Sequence, residues 1–390
     1  MSPRRTQTET NGRAIRSLLV ALLFSAISTM RANAQANLSS QGFGFPTGQF
    51  SSRAYGTGGA IGEMDPLSPI NPAALAQLGS RLVFFQIEPE YRSVTTSNGT
   101  ERTTTARYPV VFGAIPFGSR LVMSLSSSTL LDRTATTVFN TTDTIAAGEL
   151  VPITTRFRVD GALNDIRLAG AWTAAQWLRV GVGVHGIAGH NLVSITQSFT
   201  DTTQFAPFTQ QRVLGFGGAA ASAGLQVFSK TWNASASFRV GGKLDLSSED
   251  TVLTSAHVPN RFGVSLAYTG IPGSSIAVRT AHDTWSALGN LGQNGLVGVD
   301  AWDTSVGGDF TAPRILSHPV FLRAGFRDRT LPFQAAGQDV MEKSITAGIG
   351  SAFANNRVLG DLAIISASRS ANIGASEHAW TISIGLSVLP

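Results

Sequence analysis

One stretch of the 390-residue chain, Gly181-Val182-Gly183-Val184-His185-Gly186, fits the GxGxxG spacing of a dinucleotide-binding turn. That motif works where a strand ends and the N-terminus of a helix meets a pyrophosphate. Here an alternation of apolar and small or polar residues runs straight through it. Leu178, Val180, Val182 and Val184 oppose Arg179, Gly181, Gly183 and His185, so small inward-facing strand residues are the better account. The six histidines, at 185, 190, 257, 282, 318 and 378, show no metal-ligand spacing such as HExxH, and there is no GxSxG elbow. The absence of cysteine excludes a disulfide scaffold, a thiolate metal site and a thiol nucleophile. A Ser, His and acid triad gathered across strands stays open, because triads are spatial arrangements. The expectation is of no metal, no cofactor and no enzyme.

The remaining chemistry lies in charged residues on otherwise small, polar faces. Arg179, Arg239, Arg261, Arg279, Arg323 and Arg327 take such positions, and Asp303 and Asp309 are spaced to share one face of a strand. A guanidinium there could bind the carboxylate of an amphipathic ligand through paired hydrogen bonds. Alternatively, these arginines pair with Asp283, Asp303, Asp309, Glu88 or Glu90 and keep a wet interior neutral. The second reading carries more weight.

The elements that would position these residues are strands. Successive side chains of a strand point to opposite faces, so a strand between lipid and a wet lumen alternates over about ten residues. Trp380, Ile382, Ile384, Leu386 and Val388 form one face of the last segment, with Thr381, Ser383, Gly385 and Ser387 on the other. The same split recurs from Trp232 to Val240, from Arg261 to Tyr268, and at Leu121, Met123 and Leu125. A β-sandwich would show long charged side chains outside. Here the polar face is Ser, Thr, Gly, Asn and Arg, while Trp177, Trp232, Tyr268, Trp302 and Trp380 stand near segment ends, as interfacial girdles do. The spacing predicts fourteen strands, near residues 81–95, 102–115, 119–131, 160–174, 177–194, 211–227, 231–243, 257–269, 274–283, 300–311, 318–328, 342–353, 357–367 and 377–388. Tight turns such as Pro116-Phe117-Gly118 and Ala354-Asn355-Asn356 alternate with long polar links at 132–159, 195–210, 244–256, 284–299 and 329–341. The fold class is therefore all-β, a transmembrane antiparallel barrel with short turns on one side and long loops on the other.

Composition agrees. Charged residues make up 14% of the chain, against roughly 25% in an ordinary soluble domain. The formal charge of +5 is concentrated at the start, where Arg4, Arg5, Arg13, Arg16 and Arg31 outnumber Glu9, so a nucleic-acid partner is not expected. Basic residues, the apolar run from Leu18 to Ile27 and the small residues Ala32 and Ala34 make residues 1–34 a signal peptide, cleaved before Gln35 or two residues later. Export to the outer membrane of a Gram-negative-type bacterium follows. The C-terminus, Val388-Leu389-Pro390, lacks the aromatic residue that often ends such barrels.

Residues 35–79, ahead of a barrel spanning 80–390, do not alternate. They pass through Gly42-Phe43-Gly44-Phe45-Pro46 and Asp65 to Asn71-Pro72-Ala73-Ala74-Leu75. Asn71 is suited to cap a helix with Pro72 in its first position, and Gly79 to end it. This region resembles the N-terminal hatch of FadL-type outer-membrane transporters, which move long-chain fatty acids and aromatic hydrocarbons. Ala74 stands where that family usually has Gly. Further likeness lies in Val258-Pro259-Asn260-Arg261-Phe262-Gly263-Val264, Trp285-Ser286 and Leu322-Arg323-Ala324-Gly325-Phe326, and in the fourteen strands. The resemblance implies a plugged barrel with Asp65, Asn71, Pro72, Ala73 and Leu75 in the hatch, its partners being outer-membrane lipid and a hydrophobic small molecule. PorV-like barrels, which serve protein secretion, share the Asn-Pro-Ala hatch, so a secretion-system partner is the alternative, with a structural barrel as a third. An apolar entry site is expected from Leu130, Leu131, Phe139, Phe199, Phe205 and Phe208. The aromatics among these suit membrane-surface anchors equally well.

Overall fold

The computed structural model describes residues 43–96, 99–144, 150–199, 205–291, 298–315, 318–371 and 375–390. The expected signal peptide and Gly42 lie outside them. Fourteen antiparallel strands close into a barrel. They are β1 (Leu82–Thr96), β2 (Gly99–Arg107 and Val110–Phe117), β3 (Leu121–Asp132 and Ala135–Thr144), β4 (Leu150–Ala175), β5 (Leu178–Phe199), β6 (Phe208–Phe228) and β7 (Trp232–Ser248). There follow β8 (Thr251–His257 and Arg261–Tyr268), β9 (Ser274–Asp283), β10 (Ala301–Ile315), β11 (His318–Ala335), β12 (Gln338–Phe353), β13 (Val358–Ser370) and β14 (Ser376–Val388). Each pairs with its sequence neighbours, and β14 pairs back onto β1 from Ser376 opposite Thr95 to Val388 opposite Val83. Closure matters physically, since an open sheet edge in hydrocarbon would leave backbone groups unpaired at several kcal/mol each.

Three strands are interrupted, and two of the interruptions contain proline, which has no N–H for the ladder. Tyr108-Pro109 breaks β2, Arg133-Thr134 breaks β3, and Val258-Pro259-Asn260 breaks β8. Alternation then sorts the side chains. In β3, Leu121, Met123 and Leu125 face out, while Val122, Ser124 and Ser126 are buried in the lumen. Outward residues such as Val182 at 67% and Ile345 at 69% exposure, repeated on strand after strand, would be untenable in water; together they form a belt for lipid. Trp177, Trp232 and Tyr268 stand exposed at one rim of the belt, Tyr91, Trp302 and Trp380 at the other. No helix among the described residues is long and apolar enough to cross a membrane. The chain crosses with strands.

The expected long links require correction. Residues 132–159, 195–210, 244–256 and 329–341 are mostly strand, because β3 to β8, β11 and β12 run on beyond the belt as paired ribbons. β4 alone is 26 residues long, well over twice the roughly ten that a bilayer needs. The hairpins joining β7 to β8 and β11 to β12 are tight, with Glu249, Asp250, Ala336 and Gly337 at positive φ. Length on that side, called the long end below, is therefore carried by strands rather than loops. These extensions are rich in Thr, Ser, Gln and Asn and have no lipid face, so their alternation is hidden in the sequence. The link 284–299 holds a 3-10 helix, Trp285–Leu291. The opposite, turn end joins β4 to β5, β6 to β7 and β12 to β13 by short connections.

The belt makes a direct prediction. Ile384 faces lipid about halfway between Trp380 and the turn end, beside Leu362 and Ile87. Ile384→Lys should cost about 2–4 kcal/mol of folding stability, measured by urea titration in lipid vesicles. A change within error would argue that this face does not meet hydrocarbon.

Candidate functional site

Residues 43–79 are almost wholly buried, and what buries them is the inner wall of the barrel. They enter at the long end with Phe43, pass down the lumen, and reach β1 at the turn end. A helix, α1 (Ser52–Gly56), and a 3-10 helix, Pro72–Gln77, are the only helical turns between residues 43 and 79. The Asn71 side chain accepts from the Ala73 N–H and caps the second of these, but the turn is 3-10 rather than α and ends at Leu78, not Gly79. Six residues with proline at the start suit the tighter winding.

Three layers follow one another along the lumen. The first, at the long end, is apolar: Phe43, Leu130, Leu131, Leu163, Ile187, Phe216, Leu244, Trp285, Leu288, Leu331 and Phe333 form one buried cluster. Its members come from β3 to β7, from β11 and from the 3-10 helix Trp285–Leu291, so apolar side chains meet across the width of the barrel. Phe45 belongs to the same cluster and borders the next layer, with the guanidinium carbons of Arg107, Arg329 and Arg369 between 4.5 and 4.8 Å from its ring centre and that of Arg92 at 5.7 Å. Each contact of this type contributes about 0.5–2 kcal/mol, more when dry.

The second layer is ionic. Arg369 reaches Glu90 at 2.9 Å, Glu342 at 2.6 Å and Glu377 at 2.5 Å, and Arg329 shares Glu342. Arg107 joins Glu90 to Asp132. Lower down, Arg279 and Arg327 both bind Asp303, at 2.9 and 2.8 Å, and flank the Phe50 ring. Glu63, from the N-terminal segment, is fully buried and takes Arg261, Arg279 and the Ser237 hydroxyl. Removing one partner of such a buried pair costs roughly 3–5 kcal/mol, because the survivor keeps an uncompensated charge.

The third layer, at the turn end, is apolar again and packs Leu67 and Leu75 against Leu82, Phe84, Phe112, Val122 and Ala169. Here the wall is shaped by missing side chains. A Cβ at Gly181 would lie 2.5 Å from the Ala73 nitrogen, so the GxGxxG stretch serves to seat the 3-10 helix. A Cβ at Gly325 would lie 2.1 Å from the Thr57 carbonyl carbon. Asp65 accepts from the Ser51 and Ser68 hydroxyls and so ties the two halves of the segment together.

Of the residues expected from sequence, Asp65, Asn71, Pro72, Ala73 and Leu75 are buried in the lumen. Arg239 lies 3.7 Å from both Asp165 and Asp283; Arg261 binds Glu63; Arg323 bridges Asp309 and Asp361. Asp303 and Asp309 face inward on β10. Arg179 sits apart near the turn end, stacked 4.1 Å over Phe228. The entry group is not brought together. Leu130 and Leu131 belong to the apolar layer, whereas Phe139, Phe199 and Phe208 lie on the long-end ribbons, with Phe205, just ahead of β6, against Phe199 and with Phe208 largely exposed. Trp285, Leu331 and Phe333 complete the layer without being expected there, and Glu63 is equally unforeseen in the ionic one. A signal was available for the first three: the links 284–299 and 329–341 carry several large apolar residues, among them Trp285, Leu288, Leu291, Leu331 and Phe333, more than water-exposed loops need.

The wall lapses at the long end beside the start of the N-terminal segment. Among the described residues no ladder joins Gly99–Arg107 to Ala135–Thr144, and a cavity of about 100 Å³ opens there between Arg92, Glu101, Thr103, Thr134 and Thr136. Phe45-Pro46 pairs with Leu131-Asp132 beside it.

No protein-family model and no curated protein matches the chain. Solved structures do. A FadL homologue of Pseudomonas aeruginosa superposes with a TM-score of 0.60 at 13% identity, covering 89% of this chain and 99% of that one. The toluene transporter TodX of P. putida gives 0.56 at 12%, covering 88% and 99%, and the monoaromatic hydrocarbon channel CymD gives 0.55 at 14%, covering 87% and 97%. The chain has the fold of these channels.

The glycine seats can be tested. Gly325→Val should leave the barrel assembled, since valine suits a strand, but expel Thr57 from its groove. Expected results are new protease cleavage within residues 43–79 and a several-fold rise in single-barrel conductance. An unchanged, closed barrel would show that the segment does not depend on that groove.

Proposed function

We propose that this protein is an outer-membrane channel that passes hydrophobic small molecules through a barrel plugged by its own N-terminal segment. The observation that carries the reading is the apolar layer at the long end, held directly above the segment. A molecule leaving water loses about 25 cal/mol per Å² of apolar surface on entering such a layer, whereas the charged layer below rejects it unless the segment moves. The segment acts as the hatch, and its Gly56-Thr57-Gly58-Gly59 stretch, seated in wall glycines rather than by ion pairs, is the part most easily shifted. The lapse between β2 and β3 offers a way out through the wall without crossing the ionic layer. The channel fold shared with the hydrocarbon and toluene transporters supports this reading, as does the lipid-facing belt. Long-chain fatty acids and alkylaromatics are the cargo classes it fits.

The test is uptake. Cells lacking the protein should take up long-chain fatty acids or alkylaromatics more slowly, with recovery on expressing the wild-type chain. Phe333→Glu, which puts a carboxylate into the apolar layer, should recover the folded barrel but less than about a tenth of the rate, consistent with an unpaired buried charge costing over 1.4 kcal/mol. Wild-type uptake rates in the deletion strain would sink the proposal. Co-purification of the barrel with a secreted protein would point instead to a secretion partner.

A further inference from the structure

Asp165, His185 and Ser222 are far apart in sequence but meet inside the barrel. They stand on the neighbouring strands β4, β5 and β6, face the lumen and are buried. His185 Nδ1 lies 2.7 Å from Asp165 Oδ1, and His185 Nε2 lies 2.8 Å from the Ser222 hydroxyl. A carboxylate only accepts, so Nδ1 donates to Asp165, and the neutral imidazole meets Ser222 with Nε2 as the acceptor. Behind the carboxylate, the Gln49 amide donates to Oδ2 at 3.1 Å and Arg239 lies 3.7 Å away. A hydroxyl bonded to a base, with that base oriented by a fixed carboxylate, is the arrangement of an activated nucleophile.

The surroundings suit one reaction. Register places Gly183 opposite Ser222. A Cβ there would lie 2.8 Å from the Ser222 hydroxyl oxygen and 3.3 Å from Arg167 Cδ, so the hydroxyl and the arginine stem share the gap that this glycine leaves. Arg167 is 1% exposed, and none of its guanidinium nitrogens has a hydrogen-bond partner among the described residues. Two residues towards the long end on the three strands stand Leu163, Ile187 and Ala220, which belong to the apolar layer or pack on it. That layer therefore borders the three residues directly. A cavity of about 40 Å³, room for water, is lined by Leu130 and Trp285 of the layer and by Gln49 and Arg239. Arg239 is the register partner of Ser222 on β7.

We propose that Ser222, His185 and Asp165 form a hydrolytic triad that cleaves carboxylic esters whose acyl chain lies in the apolar layer. Ser222 Oγ attacks the ester carbonyl carbon while its proton passes to His185 Nε2. The carbonyl electron pair moves onto oxygen, where the Arg167 guanidinium meets the charge. The tetrahedral adduct collapses, the alkoxide takes the proton from Nε2 and departs as an alcohol, and the acyl group stays on Ser222. Water, the second reactant, then attacks the acyl carbon, gives a proton to Nε2 and releases the carboxylic acid as Ser222 recovers its hydrogen. Asp165 holds Nδ1–H throughout and steadies the imidazolium. Access needs the Gln49 part of the segment to shift, as transport does, but cleavage is measured without uptake. A barrel that hydrolyses esters yet supports no uptake keeps this proposal and loses the transport reading.

The full-length barrel, purified in dodecyl maltoside (which has no ester bond), is given p-nitrophenyl octanoate, p-nitrophenyl acetate and a fluorophosphonate probe. Wild type and Gly325→Val, with its segment loosened, are each compared with the same chain carrying Ser222→Ala. Expected are probe labelling at Ser222, located by mass spectrometry, and a kcat/KM for the octanoate about tenfold or more above the acetate, from the extra buried methylenes. In S222A the rate should fall to that of buffer alone. Asp165→Asn should lower kcat by about a hundredfold or more, and Arg167→Met by about a hundredfold, each in a barrel shown to be folded by its heat-shifted gel mobility. If neither chain labels at Ser222 nor outpaces its S222A form, the three residues are a structural hydrogen-bond chain and the proposal is overturned. Hydrolysis that survives S222A overturns it equally, and R167M at the wild-type kcat removes Arg167 from the mechanism.

Discussion

The two-residue pleat is the constraint on which everything else here depends. Once β14 pairs with β1, every second residue of fourteen strands is committed either to lipid or to a single enclosed space. The outside can be uniformly apolar. The inside cannot, because the wall must also hold a segment of chain with its own backbone donors and acceptors. The layers described above are a solution to that problem: apolar where segment and wall meet as hydrocarbon, ionic where Glu63 and the wall arginines meet, and glycine where backbone approaches backbone.

Charge in the lumen is arranged by sharing. Glu90 serves Arg92, Arg107 and Arg369; Asp303 serves Arg279 and Arg327; Glu342 serves Arg329 and Arg369. Sharing fixes positions, since moving one side chain disturbs several neighbours at once. Phe45 and Phe50 lie in this network as uncharged faces that guanidiniums can cover. The segment is thus gripped in its middle by side chains that must also satisfy one another, while its glycine-seated stretch from Gly56 to Gly59 stands outside that coupling.

Much of this is legible in the chain, for an identifiable reason. Trp380 to Val388 and Ser274 to Asp283 read as strands because lipid writes an apolar letter at every second place. The long-end extensions, such as Ala135–Thr144 and Phe208 to Gln210, read as loops because water on both sides imposes no such rule. Arg167 is inconspicuous within Ile166-Arg167-Leu168, where it looks like any inward polar residue. Its peculiarity is a guanidinium with no hydrogen-bond partner among the described residues, and partners across a barrel are set by register, not by neighbours in sequence. Glu63 is hidden for a similar reason: its segment has no period, so nothing local marks which carboxylate will meet Arg261.

Ser383 has a consequence for assembly. On β14, its hydroxyl meets Ser52 of the inner segment at 2.8 Å, and Gln86 and Glu88 of β1 at 3.0 Å. The earliest-made described residues are thereby tied to one of the last strands made. None of these bonds can exist before the seam between first and last strand has zipped. Sealing the cylinder and closing this one latch on the segment are therefore the same event, and a chain stalled one hairpin short would be leaky and would lack it.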